Sequence, residues 1–343
     1  MMQYETLVIL WYVVVGVAMV MYMVLDGFDL GVGALHLCTK SNTERRIFLN
    51  AIGPVWDGNE VWLVIILGSL FAGFPIVYAS ILSGYYTLIM FLIPGLMFRA
   101  AAIEFRSKSE SKTWRKIWDG TFCLSSILVT FVLGIFLGNF VTGIPLNSDH
   151  QFNGSIISLF QPYAVIVALF AVSLVAMHGS IFLVMKTEGK LQEKLRHWTH
   201  RSIVFFLFFF FVTTLETYID MPHMFLPFEK HPQLISIPIM MLLTILSIPL
   251  LMRKGREGIV FIASCFSIML LLTLFGIGTF PYLVMSTVDT AANSLTIYNS
   301  ASSQKTLEIL LVIVLIGVPL VLAYGYWIYH IFRGKVKLDE NSY

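Results

Sequence analysis

Two pairs of carboxyl groups stand close together in the first sixty residues. Asp26 and Asp29 lie in Asp26-Gly27-Phe28-Asp29-Leu30-Gly31, and Asp57 and Glu60 lie in Gly53-Pro54-Val55-Trp56-Asp57-Gly58-Asn59-Glu60-Val61-Trp62. Each pair is spaced i,i+3, which puts its members on one face of a helix. Both pairs sit among long apolar runs. A charge near the centre of a bilayer costs at least ~2.5–3.5 kcal/mol, so such acids must be protonated, paired or wetted. Carboxyls of this kind can take up, hold and pass protons. The other reading is that they cap helix ends or bond to a partner subunit. Asp119, in Trp118-Asp119-Gly120, stands at the start of a later apolar run. It fits a proton entrance, and equally an interfacial acid paired with Arg115 or Lys116.

The elements that must position these groups are membrane helices. Of the 343 residues, 57% are hydrophobic and 12% charged, about half the charge of an ordinary soluble domain. The apolar blocks run to about 20 residues or more, too long and too continuous for barrel strands. Nine spans are expected, at about 7–37, 47–73, 76–103, 117–140, 161–185, 202–220, 233–252, 258–284 and 306–332. The chain is therefore an all-α, polytopic membrane protein, read as a single membrane domain over 1–343 with a short tail at 333–343. The N-terminus lacks a basic n-region and a cleavage site, so no signal peptide is expected. Nothing suggests a nucleic-acid surface. Cys38, Cys123 and Cys265 form neither a disulfide frame nor a metal motif.

Basic residues alternate between joints. Lys40, Arg45 and Arg46 share one; Arg106, Lys108, Lys112, Arg115 and Lys116 the next but one. Lys186, Lys190, Lys194, Arg196 and Arg201 follow, then Arg253, Lys254 and Arg256, then Arg333, Lys335 and Lys337. Only Lys230 and Lys305 fall in the other joints, and Arg99 lies near the inner end of a span. This bias predicts an outward N-terminus and a cytoplasmic C-terminus. Residues 47–103 can divide at Gly73-Phe74-Pro75 or at Ser83-Gly84; the first leaves the longer second span. The joint between the first two spans centres near residue 43. A hairpin about that centre puts Asp29 level with Asp57 and Asp26 level with Glu60, all about 15 Å beyond the inner helix ends at 1.5 Å per residue.

His178, in Ala176-Met177-His178-Gly179, is the one histidine well inside a span. With no second histidine at its depth it reads as a hydrogen-bonded core residue rather than a haem ligand. Glu216 is an isolated acid without a reading. Except for Trp56, the tryptophans read as an interfacial belt. The run Phe205–Phe211 reads as lipid-facing or packing material, and Ser302 or Ser303 as the cap of the last helix.

These segments together resemble subunit II of the cytochrome bd-type quinol oxidases. The motifs that carry the likeness are Asp26-Gly27-Phe28-Asp29-Leu30-Gly31, Trp56-Asp57-Gly58-Asn59-Glu60-Val61-Trp62-Leu63, Phe105-Arg106-Ser107-Lys108 with Trp114-Arg115 and Trp118-Asp119, the segment Leu295–Leu307, and Trp327-Ile328-Tyr329 with Phe332-Arg333-Gly334-Lys335. They span nearly the whole chain in family order. The resemblance implies a subunit of a complex in the bacterial plasma membrane that oxidises quinol and reduces dioxygen to water. It implies haems of b and d type on a separate subunit I, and a fold of two four-helix bundles plus one peripheral helix. It further implies a proton path through Asp26, Asp29, Asp57 and Asp119, with Trp56 nearby; Glu60 joins them by its depth. Some family members hold a quinone-type lipid in this subunit at a non-catalytic site. Which quinone is used, and whether a small accessory subunit exists, is not written in the residues. The competing reading is a proton-coupled transporter, which also explains buried acids but calls for a second broken helix in the later half.

Overall fold

The computed structural model describes residues 3–338. The part of the tail beyond 338 lies outside the described residues. The chain folds into α1 (Tyr4–Leu35), α2 (Asn42–Ile52), α3 (Trp56–Gly73), α4 (Pro75–Gly84), α5 (Tyr86–Phe105), α6 (Lys112–Thr142) and α7 (Pro162–Lys186). Then come α8 (Gly189–Asp220), α9 (Leu226–Lys230), α10 (Ser236–Arg253), α11 (Glu257–Thr279), α12 (Thr290–Asn293), α13 (Ile297–Ser300) and α14 (Gln304–Ile331). One antiparallel pair, β1 (Tyr282–Val284) and β2 (Leu295–Thr296), closes the connection before α13. Helices predominate because a membrane offers no water to backbone N–H and C=O groups, which a helix satisfies internally.

Among the described residues eight helices are long and apolar enough to cross a bilayer. The ninth expected span is a bent pair, α2 and α3, meeting at 51°. Gly53-Pro54-Val55 makes the bend, because Pro54 has no N–H to give to a continuing helix. Both candidate division points in 47–103 prove to be real. Phe74-Pro75 separates α3 from α4, and Tyr85 separates α4 from α5. The span expected at 258–284 stops at Thr279, and its last residues form β1 instead.

The first bundle comprises α1, α3, α5 and α6; the second comprises α7, α8, α10 and α11; α14 lies outside both. They join where α1 and α6 pack on α7. Small residues permit this. A Cβ on Gly31 would overlap the Val175 carbonyl, and one on Gly179 would strike the Gly31 backbone. Close backbone approach through small residues is the usual way membrane helices gain packing contact. Gly31→Val should therefore destabilise the fold by at least ~1–3 kcal/mol of overpacking, read as a lower melting temperature of the purified protein. An unchanged melt would mean that the α1–α7 contact relaxes freely.

Caps fall where hydroxyls precede helices. Ser41, Ser111 and Ser303 accept hydrogen bonds from the N–H groups of Thr43, Trp114 and Thr306. Two tryptophans depart from the interfacial belt. Trp11 and Trp62 are buried, and the Trp11 indole donates to the Leu307 carbonyl at 3.1 Å, pinning α14 to α1. The phenylalanine run divides as expected: Phe206 is core, while Phe205, Phe208 and Phe211 are exposed.

Candidate functional site

Asp26 and Asp29 occupy one face of α1 and are fully buried. The partner of Asp26 comes from α5. Arg99 Nη1 lies 2.8 Å from Asp26 Oδ1, and Arg99 Nη2 lies 2.9 Å from Glu60 Oε2 on α3. One buried guanidinium thus bridges two acids from two helices. The expected level match between Asp26 and Glu60 holds.

The other expected match does not. Asn59, not Asp57, meets Asp29: the amide Nδ2 donates to Asp29 Oδ2 at 2.7 Å and reaches the Leu25 carbonyl at 3.3 Å. The amide oxygen accepts from the Tyr329 hydroxyl at 2.8 Å. Asp29 Oδ1 is buried and has no partner among the described residues. Asp57 stands in the first turn of α3, where a negative charge suits the helix dipole. It is exposed on the surface of this chain. Asp57 lies two positions before Asn59, about 200° round the helix axis, so with Asn59 turned to Asp29 it faces the other way. Trp56 beside it is half-buried at the edge of the apolar core.

The cluster near the C-terminal end of α1 is built on Asp119, which is buried. Arg106 Nε donates to its Oδ1 at 2.5 Å, Arg45 Nη1 to its Oδ2 at 2.6 Å, and His36 Nε2 lies 2.6 Å from Oδ1. The expected pairing with Arg115 or Lys116 is therefore wrong. Arg115, one helical turn before Asp119, donates to the Ser109 carbonyl instead, and both Asp119 oxygens are already taken by Arg45 and Arg106. The charge-assisted bonds from two arginines tie α2, α5 and α6 together.

His178 is a buried, bonded core residue, as its isolation suggested. Its Nδ1 lies 2.8 Å from Ser264 Oγ, its Nε2 2.9 Å from the Val24 carbonyl, and its ring stacks on Phe261. With both nitrogens engaged, it does not fit a haem ligand. Among the described residues no group of three or more His, Cys, Asp or Glu side chains is placed to hold a metal ion. The three cysteines are free.

Comparison with known proteins decides what this arrangement serves. The family model described as cytochrome bd terminal oxidase subunit II matches residues 7–332. The chain belongs to this family. Subunit 2 of the cytochrome bd-I ubiquinol oxidase of Escherichia coli strain K12 is 30% identical, over 99% of this chain and 98% of its own length. The cytochrome bd ubiquinol oxidase subunit 2 of Bacillus subtilis strain 168 is 31% identical, over 96% of this chain and 97% of its own. A chain of the bd oxidase of Geobacillus thermodenitrificans shares the fold, with a TM-score of 0.77 at 19% identity, covering 95% of this chain and 98% of that one. As a cytochrome bd subunit II, the chain serves a terminal oxidase that couples quinol oxidation to dioxygen reduction, and the complex is a haem enzyme. The transporter reading is not favoured.

Reading the sequence alone missed four residues that hold these acids in place. Arg99 is a lone cation in an apolar run, which itself demands a buried acid. Asn59 and Tyr329 lie far apart in sequence, and no periodicity links them. His36 looked like a joint residue, although it is buried at 0% exposure against Asp119.

Proposed function

We propose that this subunit II carries protons toward the oxygen-reducing centre through the carboxyl cluster Asp26, Glu60 and Asp29. The observation that carries the reading is the arithmetic of charge around Arg99. One guanidinium faces Asp26 and Glu60 directly, with Asp29 one helical turn from Asp26. It cannot neutralise three carboxylates in a buried site, so the cluster has room for a bound proton. The unpartnered Asp29 Oδ1 is the atom best placed to carry it.

Asp57 leads the path to the partner. Asp57, Val61, Val64, Gly68 and Phe71 form one exposed stripe along α3. A carboxyl on a lipid-facing stripe is costly, so this face is read as the seat of the haem-bearing subunit I, with Trp56 at its edge. The haems of b and d type belong to that partner. Asp57→Asn should slow oxygen consumption by about threefold or more, ~0.7 kcal/mol on the limiting barrier, at unchanged haem content. Wild-type turnover in that variant would remove Asp57 from the path.

Asp119 stands at the cytoplasmic entrance. Clamped by Arg45 and Arg106, it keeps its charge and orients His36, whose Nδ1 is unpartnered among the described residues. The alternating basic joints support an outward N-terminus in the bacterial plasma membrane.

The second bundle and α6 line an open apolar pocket of about 800 Å³, with Leu137, Phe170, Phe210 and Phe275 on its walls and Tyr163 and Thr217 as a polar pair. Its size and lining suit a quinone-type lipid. Thr213 Oγ1, buried and without a partner among the described residues, is a donor for a ring carbonyl. Asp29→Asn in the purified complex tests this reading: turnover should fall at least about tenfold at unchanged haem content, and wild-type turnover would overturn it.

A further inference from the structure

The last helix, α14, is almost wholly peripheral, yet one of its side chains reaches the buried acids. Tyr329 is half-buried, and its hydroxyl donates to Asn59 Oδ1 at 2.8 Å. The amide of Asn59 can point in only one direction. Its Nδ2 faces two acceptors, Asp29 Oδ2 at 2.7 Å and the Leu25 carbonyl at 3.3 Å. Turned over, the amide oxygen would face those same acceptors, and two lone pairs would repel where a bond now forms. The Tyr329 hydroxyl supplies the donor that the amide oxygen requires. Asp29 Oδ2 is thereby held as an acceptor, and Oδ1, buried and unpartnered among the described residues, is left as the position for a proton.

We propose that Tyr329 is a positioning residue for Asp29: through Asn59 it fixes which carboxyl oxygen carries the proton, so that the peripheral helix tunes proton transfer without touching the transferred proton. This rests on the proton-path reading above. α14 is otherwise fastened to the bundles near its ends. Trp11 donates to Leu307 O, the hydroxyl of Ser302 to Ala72 O, and Lys186 Nζ to Phe332 O. The Tyr329–Asn59 bond is a polar contact of the helix with the acid cluster, and its loss leaves those other fastenings in place. The titratable and charged groups facing this chain of bonds are Asp26, Glu60 and Arg99 around the acids and Cys265 of α11 beside Tyr329.

The test uses the whole purified complex. Tyr329→Phe removes one oxygen and should leave haem content and spectrum unchanged. Its oxygen consumption should fall about three- to tenfold, the worth of one hydrogen bond expressed as a rate. The pH profile of turnover should move. In reduced-minus-oxidised infrared difference spectra, the protonated-carboxyl band that Asp29→Asn abolishes should be displaced. Asn59→Ala should displace the same band, and the double variant should lose little more than either single one, since both cut one chain of bonds. An unmoved band with a wild-type pH profile in Tyr329→Phe would overturn the proposal, and so would additive losses in the double variant. If Asp29→Asn itself turned over at the wild-type rate, the proton-path reading would fall instead, and the two failures are thus told apart.

Discussion

Arg99→Met is expected to abolish assembly of the active complex. The substitution keeps much of the side-chain volume and removes the charge that Asp26 and Glu60 share. Breaking a buried pair by deleting one partner typically costs ~3–5 kcal/mol, because the remaining charge is stranded. Here two carboxyls from two helices are stranded at once, and α1, α3 and α5 lose their common tie. The measurement is the yield of haem-bearing complex from membranes, together with its thermal melt. Arg99→Lys should recover part of the yield, since an ammonium restores charge but cannot fork between two acids as a guanidinium does. The triple variant Arg99→Met with Asp26→Asn and Glu60→Gln should assemble better than Arg99→Met alone. Full yield in Arg99→Met would mean that those acids are neutral without it, and that the clamp has no structural weight.

Asp29→Asn separates the proton path from the scaffold. Among the described residues Asp29 makes no ion pair, and its one hydrogen bond is from Asn59. Asparagine has nearly the same shape, and its oxygen can accept the same bond. Folding should be little affected, and haem content should remain that of the wild type. Turnover should fall at least about tenfold, a rise of ~1.4 kcal/mol in the limiting barrier, because the amide cannot take up and release a proton at neutral pH. Asp119→Asn should behave differently. It loosens a cluster of Arg45, Arg106 and His36, so it should lower the yield of folded complex as well as slow turnover.

Much of the fold was legible because membrane helices write themselves in long apolar blocks, and the alternating basic joints repeat that count independently. The bend at Gly53-Pro54-Val55 was visible as a proline in an apolar run, but its consequence was not. Counting residues from the joint gives depth but not which face of α3 looks inward, and it is Asn59 rather than Asp57 that meets Asp29. The end of the span at Thr279 was hidden because β1 is as apolar as the helix before it. Side-chain partners separated by long stretches of chain left no trace in the letters. Arg99 with Asp26, His36 with Asp119, and Tyr329 with Asn59 are brought together only by helix packing, in which Gly31 and Gly179 set the approach of α1 to α7. The acids themselves were legible as misfits, since a carboxyl in an apolar run must have a reason.

The claim on which the account turns is that Asp29 carries protons used in oxygen reduction. Stopped-flow mixing of the fully reduced complex with oxygen, with a pH-sensitive dye reporting proton uptake and haem absorbance reporting electron transfer, tests it directly. In Asp29→Asn the account predicts proton uptake slowed about tenfold or more, in step with steady-state turnover, while the first electron-transfer steps at the haems keep their wild-type rates. Proton uptake at the wild-type rate in that variant, with haems intact, would contradict it.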